Sequence, residues 1–227
     1  MSLASAVTTA GVFPSTDAPS HEKKRYAEKL SHALAPALAA ALRSRGLTGT
    51  RPLPGQPGEK AFQGGLGPKR VDVSHSDERH GLLLAVSVKS ITAPPYSKNL
   101  KNRFGDLCTE AITLHMRFPY GIVCCLFAFP AAADEDVTAG RPTSTFRRAL
   151  KLMSTISGRE EYTDPGEKFE SVTMLLFHPA DEAGEGAWVK LFDADTGEQV
   201  TEDDYFAGMI ALYNRRNPHA EVGDADA

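Results

Sequence analysis

Apolar positions along this chain change period several times. Leu30, Leu34, Leu38, Ala41 and Leu42 recur at helical spacing, Ser20 can cap the start of that helix, and Pro36 is expected to kink or split it. Val71–Val73 alternates, with Asp72 between two valines. Leu82–Ile91 is a β-rich apolar run, too short and too β-branched near its end to favour helix. Gly105–Arg117 returns to helical spacing. Leu107, Ala111, Leu114 and Phe118 make one apolar stripe, and Asp106, Glu110, Thr113 and Arg117 an adjacent polar one. Gly121–Phe129 is almost continuously apolar, as expected of a strand covered on both faces. A helix over Thr143–Ser157, strands at Ser171–His178 and Ala187–Phe192, and a last helix over Glu202–Asn214 capped by Thr201 complete the pattern. The order α, β, β, α, β, α, β, β, α predicts an α/β fold, a mixed β-sheet flanked by helices.

Residues 1–19 are small and polar, with Pro14 and Pro19, and are expected to be a disordered tail. Residues 20–215 form one domain, and 216–227 an acidic C-terminal tail. Leu47–Pro68 is rich in Gly and Pro and reads as a long loop leading into the Asp72 strand. Its Gly64-Gly65-Leu66-Gly67 is no phosphate loop, lacking the Lys-Ser/Thr ending and a following helix.

The 227 residues suit one domain, and no apolar run approaches the ~20 residues of a membrane span. No basic stretch followed by a long apolar segment opens the chain, so a secretory signal is not expected. Cys108, Cys124 and Cys125 sit in apolar elements without CxxC spacing. They read as buried thiols in a reducing, cytoplasmic setting rather than as a zinc site. A net charge of −4 argues against a protein that coats nucleic acid. The charge is unevenly spread, however, with a basic loop at Lys98–Arg103.

The chemistry begins with Lys89, a lysine near the end of an apolar strand. Burying an unpaired ammonium is costly, so it must snorkel or find an anion, and in a hairpin Asp72 is the nearest one. Asp72 followed by Ser87-Val88-Lys89 on the next strand resembles the PD-(D/E)xK motif of the restriction-endonuclease-like nucleases, specifically a D…SxK variant. The resemblance spans roughly residues 20–215 and is specific over the central third. Val71 stands where the family often has proline, and Ser87 where an acidic metal ligand is usual. Some enzymes of the superfamily carry Ser-x-Lys and take the missing carboxylate from the following helix, which here offers Glu110. Taken alone, the pattern also suits a solvated Glu110, with Asp106 favouring the positive start of its helix.

The resemblance implies a restriction-endonuclease-like core and a divalent-metal-dependent DNA endonuclease, used in restriction or defence. Asp72 and Glu110 would hold Mg²⁺, with Mn²⁺ as substitute, and Glu28, Glu59 and Asp106 are reserve ligands. Lys89 would position water or stabilise charge on the phosphate, and Ser87 would hydrogen-bond a ligand. Lys98, Lys101, Asn102 and Arg103 would contact DNA. DNA is the implied partner, with a homodimer or a partner subunit as further options and no membrane. Two alternatives remain. One is a nuclease fold that lost its ligand at Ser87 and became a DNA-binding or assembly subunit. The other is histidine-based hydrolysis around His75, His80 and His115, for which no nucleophile motif such as GxSxG is present.

Overall fold

A computed structural model describes residues 2–56, 58–137 and 140–223. The chain runs α1 (Leu3–Ala10), α2 (Ser20–Ser44), β1 (Lys60–Gly64), β2 (Gly67–Val71), β3 (Val73–Asp77), β4 (Gly81–Ser90), α3 (Leu100–His115), β5 (Ile122–Pro130), α4 (Ala132–Glu135), α5 (Thr145–Met153), β6 (Ser171–His178), β7 (Trp188–Asp193), β8 (Gln199–Val200) and α6 (Glu202–Arg216). β3 to β8 form one sheet in sequence order. β3–β4, β6–β7 and β7–β8 are antiparallel, while β4–β5 and β5–β6 are parallel. The expected α/β class, a mixed sheet flanked by helices, is what the chain adopts.

Side-chain alternation along the central strands builds two apolar layers. Val86, Val88, Cys124 and Leu126 join α1, α2 and α6 on one face. Ala85, Cys125 and Phe127 join α3 and α5 on the other. Strand β5 is buried along its whole length, as its unbroken apolar run required. All three cysteines are unpaired, two of them buried.

Several expectations need correction. Residues 3–10 are not a disordered tail: Ser2 caps α1, and Leu3, Ala6, Val7 and Ala10 are buried against the core. Pro36 neither kinks nor splits α2, which is continuous from Ser20 to Ser44. Pro36 and His32 are both exposed, so the His32 carbonyl that loses its amide partner can be hydrated. The 47–68 loop contains a hairpin, β1–β2, whose Gly64-Gly65 turn packs on the end of α3. A Cβ on Gly64 would lie 2.5 Å from Thr113 Cγ2, and Gly65 N donates to Thr113 O at 2.8 Å, so glycine is needed for that approach. Asp134 of α4 and Asp136 just after it accept hydrogen bonds from Ser144 and Thr145 at the start of α5. Of the acidic tail, residues 217–223 fold back, with Asn214 and Val222 exchanging two hydrogen bonds. Residues 224–227 lie outside the described residues.

His115 is not a solvated helix histidine. It is buried with Glu170, whose carboxylate accepts from Arg159 at 2.7 Å, from Val123 N at 2.8 Å and from His115 Nε2 at 3.2 Å. Arg216 of α6 approaches the same carboxylate at 3.5 Å. One anion thus joins α3, β5, the segment before β6 and the last helix. Burial pushes the Glu170 carboxyl up, but His115, the Val123 amide and Arg159 outweigh it and hold it below the ordinary value. Glu170→Gln should therefore lower unfolding free energy by about 3–5 kcal/mol, because it leaves buried cations uncompensated. A folded-state value below the unfolded one gives stability that is present above the unfolded carboxylate range and lost as pH falls through the folded value. Urea titrations of both proteins between neutral and acid pH test this, and equal midpoints at neutral pH would contradict it.

Candidate active site

Three elements converge at the open end of β4. The β3–β4 ladder starts at Val73–Val86, so the Val88 amide lies beyond it. Asp72, in the break between β2 and β3, fills that gap by accepting from Val88 N at 2.8 Å. Alternation along β4 then directs Ser87 and Lys89 to the α3 side of the sheet, with Ala85. The β4–α3–β5 crossover lays α3 over that face and turns Glu110 inward.

Lys89 Nζ lies 3.1 Å from Glu110 Oε2 and 3.9 Å from Asp72 Oδ2. Lys69 of β2 reaches the same Glu110 oxygen at 2.8 Å. Glu110 is only 1% exposed, whereas the Asp72 and Lys89 side chains are 16% and 19% exposed. Glu110 is therefore no solvated helix residue. Ser87 Oγ is buried beside it and finds no hydrogen bond of good geometry, and Glu110 Oε1 has no partner.

The electrostatics separate the two carboxyls. Burial raises the Asp72 carboxyl above its ordinary value, Lys89 and the Val88 amide oppose this, and Glu110 and Glu59 reinforce it. Glu110 goes the other way: burial pushes it up, but Lys89 and Lys69 together hold it below the ordinary range. Burial would lower the Lys89 ammonium, and its two carboxylate neighbours instead raise it. Titratable groups with shifted protonation equilibria that meet at an accessible edge are a frequent feature of functional sites.

The other candidates divide. Glu59, paired with Arg70 at 3.7 Å, lines a cavity of about 710 Å³ that also reaches Asp72 and His32. Glu28 is exposed and paired with Lys24 at 3.7 Å, and Asp106 is exposed and paired with Arg103 at 3.4 Å, so neither joins the cluster. Lys101, Asn102 and Arg103 belong to the first turn of α3 rather than to a loop. Lys98 and Arg103 line a groove off the end of β4, while Lys101 and Asn102 do not. His75 and His80 stand apart from the cluster, near Thr50 and Asp77 respectively. Lys69 was not foreseen. Its signal lay in β2, concealed at the end of a Gly/Pro-rich stretch.

Among the described residues no three His, Cys, Asp or Glu side chains are grouped to hold a metal. Asp72 and Glu110 offer two carboxylates. That donor set fits Mg²⁺, which commonly takes one or two carboxylates and completes its octahedron with water and phosphate oxygens. Comparison with protein-family models, curated proteins and solved structures finds no match. No helix among the described residues is long and apolar enough to cross a membrane.

Proposed function

We propose that the protein is a divalent-metal-dependent DNA endonuclease built on a restriction-endonuclease-like core, acting in the cytoplasm in restriction or defence. The observation that carries this reading is the meeting of Asp72, Lys89 and Glu110 at one strand end. Asp72 and Glu110 would hold the cation, Mg²⁺ or Mn²⁺, which when bound polarises the phosphate and makes its water more acidic. Lys89, held between both carboxylates, presents an ammonium at an edge that solvent reaches. There it orients the attacking water and stabilises negative charge on the phosphate as the P–O bond breaks. Ser87, whose buried hydroxyl beside Glu110 is unsatisfied, would hydrogen-bond a ligand water or that carboxylate. Lys98 and Arg103 supply phosphate contacts.

One observation favours a second reading. Two lysines and two carboxylates already balance each other in this cluster, so it needs no cation for neutrality. A nuclease fold turned DNA-binding or assembly subunit would have the same arrangement. Incubation with supercoiled plasmid, with and without Mg²⁺ or Mn²⁺, separates the two. The first reading requires metal-dependent nicking or linearisation that Asp72→Asn abolishes. Intact plasmid under all conditions, with DNA binding retained, gives the second.

A further inference from the structure

The end of β4 opens into a groove that belongs neither to the Asp72–Lys89–Glu110 cluster nor to any one element. One wall is the start of α2, with Ser20, Lys23, Lys24 and Ala27. The floor is the β4–α3 connection from Ser90 to Pro95, and the far wall carries Lys98, Asn99 and Arg103. The groove measures about 390 Å³ and begins at Ser90, the residue after Lys89.

Its charge is unusual for this molecule. Carboxylates outnumber Lys and Arg by 29 to 25, yet four cations and no carboxylate line this groove. Lys23 and Lys24 are separated from Lys98 and Arg103 by more than seventy residues of chain, so folding rather than a local charge run brings them together. Their present partners are weak. Lys24 meets Glu28 at 3.7 Å and Arg103 meets Asp106 at 3.4 Å, both in exposed pairs, and Lys23 donates to the Thr16 carbonyl. Exposed pairs of this kind are weak and yield readily to a phosphate. Lys98 has no ion-pair partner among the described residues. The first turn of α3 deepens the positive field, because it has no acid there and its Asn99 side chain makes no cap.

We propose that this groove is a track for a phosphodiester backbone, with Lys23 and Lys24 of α2 as its second wall. It rests on the nuclease reading only for its destination, the Asp72–Lys89–Glu110 site. The two cationic walls grip phosphates from opposite sides and deliver the strand past Ser90 toward Lys89. The anion recognised is the repeated phosphodiester of a nucleic acid, because cations spaced along two elements favour a chain of charges over a single one.

The test is binding to a fluorescently labelled DNA duplex of generic sequence in EDTA, so that no cleavage intervenes. Salt is varied between about 50 and about 200 mM. Lys23→Ala with Lys24→Ala should weaken binding and reduce the slope of log K against log salt by about two, close to one counterion per lost contact. Alanine is the best helix former, so α2 is not endangered. Arg25→Ala with Lys29→Ala makes the same charge change on α2 outside the groove and should leave the slope nearly unchanged. Equal losses from both pairs would reduce the effect to net charge and overturn the groove. So would an unchanged slope in the Lys23/Lys24 variant, or a wild-type protein that does not bind DNA. Groove-dependent binding without metal-dependent cutting would uphold the track and remove the nuclease reading. Cutting with no effect of Lys23 and Lys24 would do the reverse.

Discussion

Lys89→Met should reduce metal-dependent DNA cleavage by about a hundred- to a thousand-fold, the usual cost of removing one preorganised charge-stabilising group. Methionine keeps an unbranched stem beside Phe127, the β5 partner of position 89, and removes only the ammonium. The structure adds a consequence for the fold. Glu110 would retain Lys69 at 2.8 Å as its remaining cation, so the variant should stay folded. Its carboxyl should nevertheless titrate higher, because Lys89 is the largest of the influences that lower it. Single-turnover cleavage of a labelled duplex by folded protein is the measurement. An undiminished rate would move the chemistry away from the end of β4.

Glu110→Gln is the second large effect. Cleavage should fall to background if α3 supplies the acid missing at Ser87. The substitution is not silent for stability, since it leaves Lys69 and Lys89 facing each other over a neutral amide. Both side chains are partly exposed, at 31% and 19%, and can turn to solvent, so the loss stays well below that of a sealed pair. Ser87→Glu in the same chain should restore part of both properties. Position 87 is buried beside Glu110 on the same face of β4 as Lys89, so the new carboxylate returns an anion to the two lysines and a ligand to the strand. A thermal melt and a plasmid assay on the single and double variants suffice. Recovered stability without recovered cutting would show that the acid serves packing alone. Normal cutting by Glu110→Gln would shift attention to Glu59, the reserve acid that shares a cavity with Asp72.

Much of this arrangement was legible because its parts violate local rules. A lysine on an apolar strand needs an anion, and Asp72 and Glu110 are both found there. Glu110 could be placed through its spacing from Leu107, Ala111 and Leu114, which are all buried in the structure. Lys69 was hidden because β2 is short and follows a Gly-rich turn whose role, close packing on Thr113, appears only in three dimensions. Helix α1 did carry a signal: Leu3, Ala6, Val7 and Ala10 follow i, i+3, i+4, i+7 spacing behind a capping Ser2. Small residues between them masked it as a tail. The Glu170 cluster had no sequence signature, since Glu170 and Arg159 meet His115 of α3 and Arg216 of α6 only through the fold. The pairing of Lys23 and Lys24 with Lys98 and Arg103 was equally silent, because the order of strands alone does not say where the start of α2 docks.

Cys124 and Cys125 are neighbours in β5, yet their side chains enter opposite apolar layers. Burial pushes both thiols well above their ordinary range, so neither reacts while its layer is closed. The molecule therefore carries two internal clocks, one residue apart in the chain and a full sheet thickness apart in environment. With Cys108 replaced by serine, the rate at which a thiol reagent reaches Cys124 times the parting of α1, α2 and α6 from the sheet. The rate at Cys125 times the lifting of α3 and α5. Equal rates mean that the sheet loses both covers at once, and unequal rates say which side of the molecule breathes first.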